Sequence, residues 1–164
     1  MKQFIFAAVC SVVLAGCATY QHVPENYAGP VVTIADSAFA LTSAKGMLFY
    51  VESIDGNPVR NARNATAQSS YGQGFRLTTG IAHRQVRVVP MKLKIVGTHV
   101  TAAPIHELAS RAAGEFFTVS GEVDFTPVAG RRYVVDGELT KQLASVWVRD
   151  AETGQPVTEK ITAR

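Results

Sequence analysis

From Val31 onward, apolar and polar residues alternate with a period of two along much of the chain. Phe117, Val119, Gly121, Val123 and Phe125 alternate with Thr118, Ser120, Glu122 and Asp124. That is the pattern of an antiparallel strand with one face buried and the other in water. Met91, Leu93 and Ile95 alternate with Lys92 and Lys94 in the same way, and Arg84, Val86 and Val88 alternate with Gln85 and Arg87 until Pro90 interrupts the run. Further strands are predicted over 31–36, 47–54, 75–79, 132–139 and 143–150. Turn chemistry separates them at Asp55-Gly56-Asn57-Pro58, at Asp136-Gly137, and at the corner from Asp150 to Gly154.

One segment carries the helical period instead. Pro104 suits a first turn, Ile105, Leu108, Ala109 and Ala112 share one face, Glu107 and Arg111 form an i, i+4 pair, and Gly114 suits the end. A short amphipathic helix covering an end or edge of a sheet is expected there. Residues 61–73, rich in Asn, Ala, Ser and Gly, show no period and read as a long, adaptable loop. The pattern therefore predicts a mainly β domain over 31–164: an antiparallel β-sandwich, immunoglobulin-like or transthyretin-like, or a partly open barrel, with one short helix.

The N-terminus has a different organisation. Lys2 provides a positive start and the apolar stretch from Phe4 to Leu14 follows, ending in the small residues Ala15 and Gly16. At about 1.5 Å per residue this stretch covers roughly half of a hydrocarbon core of about 30 Å, so it serves export and not permanent anchorage. Leu14-Ala15-Gly16-Cys17 resembles the lipobox of bacterial lipoproteins, in which the cysteine thiol takes a diacylglyceryl group and becomes the new N-terminus. The resemblance implies a signal peptide over 1–16, lipidation at Cys17, and membrane lipid as a partner through the acylated residue. It also implies delivery to the outer membrane, since Ala18 and not aspartate follows the cysteine. Residues 17–30, with Pro24, Gly29 and Pro30, read as a flexible tether.

Cysteine usage follows from that reading. The chain has two cysteines; Cys10 leaves with the signal and Cys17 is acylated, so no thiol remains for a disulfide, a metal or a nucleophile. Acyl chains on one residue give stable attachment when there are at least two of them, each buried methylene contributing about 0.8 kcal/mol.

Charge is uneven along the chain. Seven basic and no acidic residues lie between Gly56 and His106, whereas seven basic and nine acidic residues lie from Glu107 to Arg164. Arg87, Lys92 and Lys94 are the candidate surface for an anion or an acidic partner; the alternative is that they pair across strands with Glu122 and Asp124. Tyr71, Phe75 and Trp147 are the candidate aromatic contacts of a ligand loop, with Trp147 expected to be at least partly buried.

The sequence holds no His-Glu-x-x-His, no Gly-x-Ser-x-Gly and no phosphate-binding glycine loop, and His83, His99 and His106 fit no compact metal spacing. No cofactor, metal, catalytic residue or nucleic-acid partner is expected. A hydrolase built on a non-local set such as Ser120, His99 and Asp124 is the least favoured alternative.

The order of landmarks also carries a resemblance. A lipobox, a strand ending in Ile54-Asp55-Gly56, the strands around Arg87-Val88-Val89-Pro90 and Met91 to Val96, then Val128-Ala129-Gly130-Arg131-Arg132-Tyr133 and Val146-Trp147-Val148-Arg149-Asp150, resemble small bacterial lipoproteins with an uncharacterised β-sandwich domain of unknown function. The expected role is non-enzymatic: a lipid-anchored protein at the periplasmic face of the cell outer membrane, contacting an envelope polymer or another envelope protein. The alternative is a periplasmic module that binds a small ligand or glycan.

Overall fold

The computed structural model describes residues 21–163; residues 1–16, read from the sequence as a signal peptide, and Cys17 lie outside the described residues. Residues 21–30 contain neither helix nor strand. The carbonyl of Pro30, their last residue, accepts a hydrogen bond from the Val88 amide at 3.2 Å.

The elements follow as β1 (Val31–Ala35), β2 (Ser37–Ala40), β3 (Lys45–Ile54), β4 (Asn57–Pro58), α1 (Ala62–Ser70), β5 (His83–Arg87), β6 (Met91–Thr101), α2 (Pro104–Ala112), β7 (Thr118–Phe125), β8 (Arg132–Leu139), β9 (Ala144–Asp150) and β10 (Ile161–Ala163). One sheet has the order β10-β9-β8-β1-β5 and the other β2-β3-β6-β7, with β4 against β3. The fold is mixed α/β, dominated by two largely antiparallel sheets that do not close into a barrel. The expectation of purely antiparallel pairing is corrected at one place, where β1 runs parallel to β8.

The period-two strands form as the pattern predicts. In β7, Val119, Val123 and Phe125 are buried while Thr118, Ser120, Glu122 and Asp124 are exposed. In β6, Met91, Leu93 and Ile95 are buried and Lys92 and Lys94 exposed. One buried cluster takes side chains from both sheets, Ile34, Val86, Val135 and Val148 from the first and Phe49, Val51, Leu93 and Ile95 from the second. Removing this apolar surface from water is the main favourable contribution to folding.

The strand predicted over 31–36 forms as β1 and ends at Ala35, and β2 follows it as a strand that was not predicted. They are separated by Asp36 alone, and the chain passes there from the first sheet to the second. The Asp36 carboxylate is completely buried and binds Arg84 Nη2 at 2.6 Å. It also accepts hydrogen bonds from the amides of Val51 at 3.2 Å and Ala62 at 2.7 Å. A buried carboxylate is tolerable only with such a set of donors. Burial pushes its pKa above the ordinary value, against the pull of Arg84 and the two amides.

Three further expectations are corrected. Residues 61–73 are not a loop; they contain α1, so two helices form among the described residues. Asn61 caps α1 by accepting from the amides of Arg63 and Asn64, and the Asn64 side chain accepts from the Asn61 amide in return. The amphipathic period is missing because only Ala62 and Thr66, one turn apart and both small, are buried. Residues 75–79 are not a strand; the backbone there is irregular, fixed by the Leu77 amide donating to Ser43 O at 2.7 Å. Asp136-Gly137 is not a turn but lies inside β8, where Gly137 pairs with Val146. The short strands β2 and β10 carry too few residues for their alternation to be read.

The predicted turns at Asp55-Gly56 and Asp150 to Gly154 do form. Asp55 and Gly56 both have positive φ and join β3 to β4, as a two-residue hairpin loop requires. The Asp150 carboxylate accepts from the amides of Glu152 and Thr153, and Gly154 has positive φ. These two hydrogen bonds hold the Asp150 pKa below its ordinary value.

The helix predicted from Pro104 forms as α2, with Gly114 in the left-handed region just beyond it. Its apolar residues do not pack on a sheet, however. None of α2 is buried, and Ile105 and Leu108 are 65% and 67% exposed. The helix is held from outside its apolar face, by Lys45 Nζ donating to Ser110 Oγ at 2.6 Å and to Glu115 O at 2.6 Å.

Candidate functional site

The outer face of the second sheet carries a second, smaller apolar cluster, Leu48, Tyr50, Ala62 and Val96, which seats the start of α1 on β3 and β6. The rest of that face is left open between α1 and α2. An open groove of about 470 Å³ results. Tyr50 of β3, Val96 and Thr98 of β6, and Thr118 and Ser120 of β7 line it, because these residues occupy the outward positions of their strands. Arg63 of α1 stands on one side, with Glu107, Arg111 and Phe116 on the other.

The ionisable groups of the groove are arranged in pairs with one left over. Glu52 is the extra residue at the irregularity in β3, where the register slips between Val51 and Ser53, and its carboxylate meets Lys94 Nζ at 2.7 Å. Arg111 binds Glu107 at 2.8 Å and lies 4.0 Å over the ring of Phe116. Arg63 has no carboxylate at ion-pair distance among the described residues. Its partner is the phenol of Tyr50, whose pKa is raised by burial, with the Arg63 hydrogen bond opposing. Thr98 and Thr118 face each other across the strands with their hydroxyls 2.8 Å apart. The surface thus offers hydroxyl donors and acceptors on its floor and one more cation than anion around them.

His99 lies at the end of this groove and is nearly fully buried, with Phe116 and Phe117 rings 5.8 and 5.6 Å away. Its Nδ1 accepts the Phe117 amide at 3.0 Å, so that nitrogen carries no proton. Burial lowers its pKa, and Lys45 adds to the effect.

The candidate residues from the sequence fall in several places. Lys92 and Lys94 share the outward face of β6 but each has its own carboxylate, Asp124 at 2.8 Å and Glu52 at 2.7 Å. Arg87 is on β5 in the other sheet, opposite Val31. The three cations are therefore not brought together, and the cross-strand alternative describes Lys92 directly.

Tyr71 follows the last turn of α1 and is 90% exposed; Phe75 is 69% exposed, its ring 5.4 Å from that of His106. Trp147 is on the outer face of the first sheet, half-buried, with Lys160 Nζ 4.0 Å from the ring centroid. It does not join the other two aromatics.

Ser120, His99 and Asp124 do not converge. Ser120 and Asp124 are four residues apart on β7, about 13 Å along the strand. Asp124 is instead taken up by Lys92. Among the described residues, no three His, Cys, Asp or Glu side chains are grouped to hold a metal ion, and no helix is long and apolar enough to cross a membrane.

Comparison of the chain with family models, with curated proteins and with solved structures gives no match in any of the three. The groove is therefore defined by its own geometry. Tyr50, Glu52, Arg63, Thr98 and Thr118 were not singled out from sequence. Thr98 and Thr118 sit at outward positions of their strands, but nothing in the pattern says that this face is flanked by two helices, one of them in a segment that shows no period.

Proposed function

We propose that this chain is a lipid-anchored binding domain of the bacterial cell envelope, attached through acylated Cys17 at the periplasmic face of the outer membrane. The reading of Cys17 rests on Leu14-Ala15-Gly16-Cys17 behind a short apolar run. The role is to hold a ligand, not to transform it. In fold terms we take the two sheets as a sandwich of the immunoglobulin-like or transthyretin-like kind, since both contribute to one apolar cluster.

The observation that carries the binding role is the groove between α1 and α2. Its volume of about 470 Å³ is within the range of small-ligand sites, roughly 300–1,000 Å³, and its polar groups converge from five elements. Favouring a small ligand or a short polymer segment over a broad protein interface is its concave shape with hydroxyls on the floor. Anchorage would raise the local concentration of the domain beside other envelope components, so that a weak site is occupied.

The test is site-specific photocrosslinking of the full chain in cells. A photoreactive residue at Ser120, in the groove, is expected to give a crosslinked adduct in the membrane fraction, and one at Glu138, on β8 of the other sheet, is expected to give none. Equal labelling at both positions, or none at Ser120, contradicts the binding role.

A further inference from the structure

Arg63 also borders a second space. A second cavity of about 300 Å³ lies along the other side of this residue, and Arg63, Val100 and Thr101 line both spaces. Its lining is more apolar: Ala67 from α1, Leu77 from the irregular segment and Ala102 beyond β6, with Tyr71 at its edge. Leu77 is buried, and Tyr71 presents its ring to solvent. A polar compartment and an apolar compartment thus meet at a guanidinium.

That guanidinium is also the groove cation without an anion. Lys94 and Arg111 are neutralised at 2.7 and 2.8 Å, whereas Arg63 meets only a phenol among the described residues. A charge at a junction of this kind binds best to an anionic head that carries an apolar extension, because the head gains a charge-assisted hydrogen bond while the extension leaves water. We propose that the joined cavities bind a single-chain anionic amphiphile, its head at Arg63 beside Tyr50 and its aliphatic chain along Ala67, Leu77 and Ala102. This names the ligand class of the groove and rests on its reading as a binding site.

The test uses the full-length acylated chain in nanodiscs of zwitterionic lipid, followed by NMR, with free ligand concentrations corrected by empty nanodiscs. Decanoate is the probe; decanol supplies the chain without the charge and acetate the charge without the chain. Decanoate is expected to shift the Arg63 side-chain signal and the Leu77 and Ala102 methyl signals together and saturably. Decanol and acetate are expected to bind at least about tenfold more weakly, and Arg63→Gln to weaken decanoate by about tenfold or more. Ala67→Trp, on the exposed side of α1, fills the apolar compartment and is expected to remove the response of the methyl signals.

Decanol binding as tightly as decanoate, or an Arg63→Gln variant that binds decanoate unchanged, overturns the proposal. So does a decanoate response confined to either compartment. If decanoate fails while the crosslinker at Ser120 still labels, only the ligand class falls. If both fail, the groove itself is not the site.

Discussion

Gly137 of β8 packs directly against the ring of Phe49 in the opposite sheet. A Cβ at position 137 would overlap Phe49 and the carbonyl of Ser145. The same ring is met from its own sheet by Gly97, its register partner, where a Cβ would come within 2.9 Å of Phe49 Cδ1. Two glycines, one from each sheet, make the space that a fully buried phenylalanine fills. Overpacking of such a place is costly because one of the obstructing atoms belongs to the backbone. Gly137→Ala is expected to lower stability by about 3 kcal/mol, measured as a fall in the urea midpoint with the slope unchanged. A midpoint equal to that of the wild type would show that the sheets are not packed at this distance.

The buried pair of Asp36 and Arg84 gives a second prediction. Arg84 has its Nε and Nη1 buried without a hydrogen-bond partner, so Asp36 is the group that compensates its charge. Removing the carboxylate leaves a buried cation and frees the Val51 and Ala62 amides. Asp36→Ala is expected to cost about 3–5 kcal/mol in urea unfolding. In a double-mutant cycle with Arg84→Met, the double variant is expected to be more stable than Asp36→Ala alone, because no charge is left unpaired. Additive losses would mean that the two side chains are not coupled.

His99 makes stability depend on pH. Its pKa in the folded protein is lowered from the ordinary 6.5, chiefly by burial. The unfolded chain therefore takes up a proton at a higher pH than the folded one. The stability tied to neutral His99 is complete above pH 6.5 and is lost as pH falls from there towards its lowered folded value. Urea unfolding at about pH 7.5 and about pH 5.5 is expected to give the smaller stability in acid. His22 has the same direction of shift, again chiefly from burial, and adds to the loss. The His99 share is the part of the pH difference that disappears in His99→Gln. A variant with the full wild-type difference would assign the effect elsewhere.

Legibility of the sequence varied with the length of each pattern. β7 alternates along its whole length and β6 from Met91 to Ile95, with Lys92, Lys94, Glu122 and Asp124 at outward positions, and these faces were readable residue by residue. Register, however, is a property of two strands at once. That Lys92 faces Asp124 and that Glu52 is the extra residue beside Lys94 is decided by pairing, which one strand's pattern does not contain.

α1 was illegible for a different reason. Its contact with the sheet uses Ala62 and Thr66, whose small side chains give no apolar stripe. The cap at Asn61 with Asn64 was the available signal. α2 shows the reverse case: its stripe of Ile105 and Leu108 was legible, yet these residues remain in solvent. Gly137 was misread because the dipeptide Asp-Gly also serves where a ring approaches a strand. Once α1 was read as a loop, Arg63 had no helix to place it, and the groove could not be assembled.

The proposed lipid anchor is tested most directly by the mass of the mature N-terminal peptide. In protein isolated from envelopes, the peptide is expected to begin at Cys17 and to carry the added mass of a diacylglyceryl group with its acyl chains. A peptide that begins elsewhere, or a Cys17 with a free thiol in protein recovered from the soluble fraction, would contradict it.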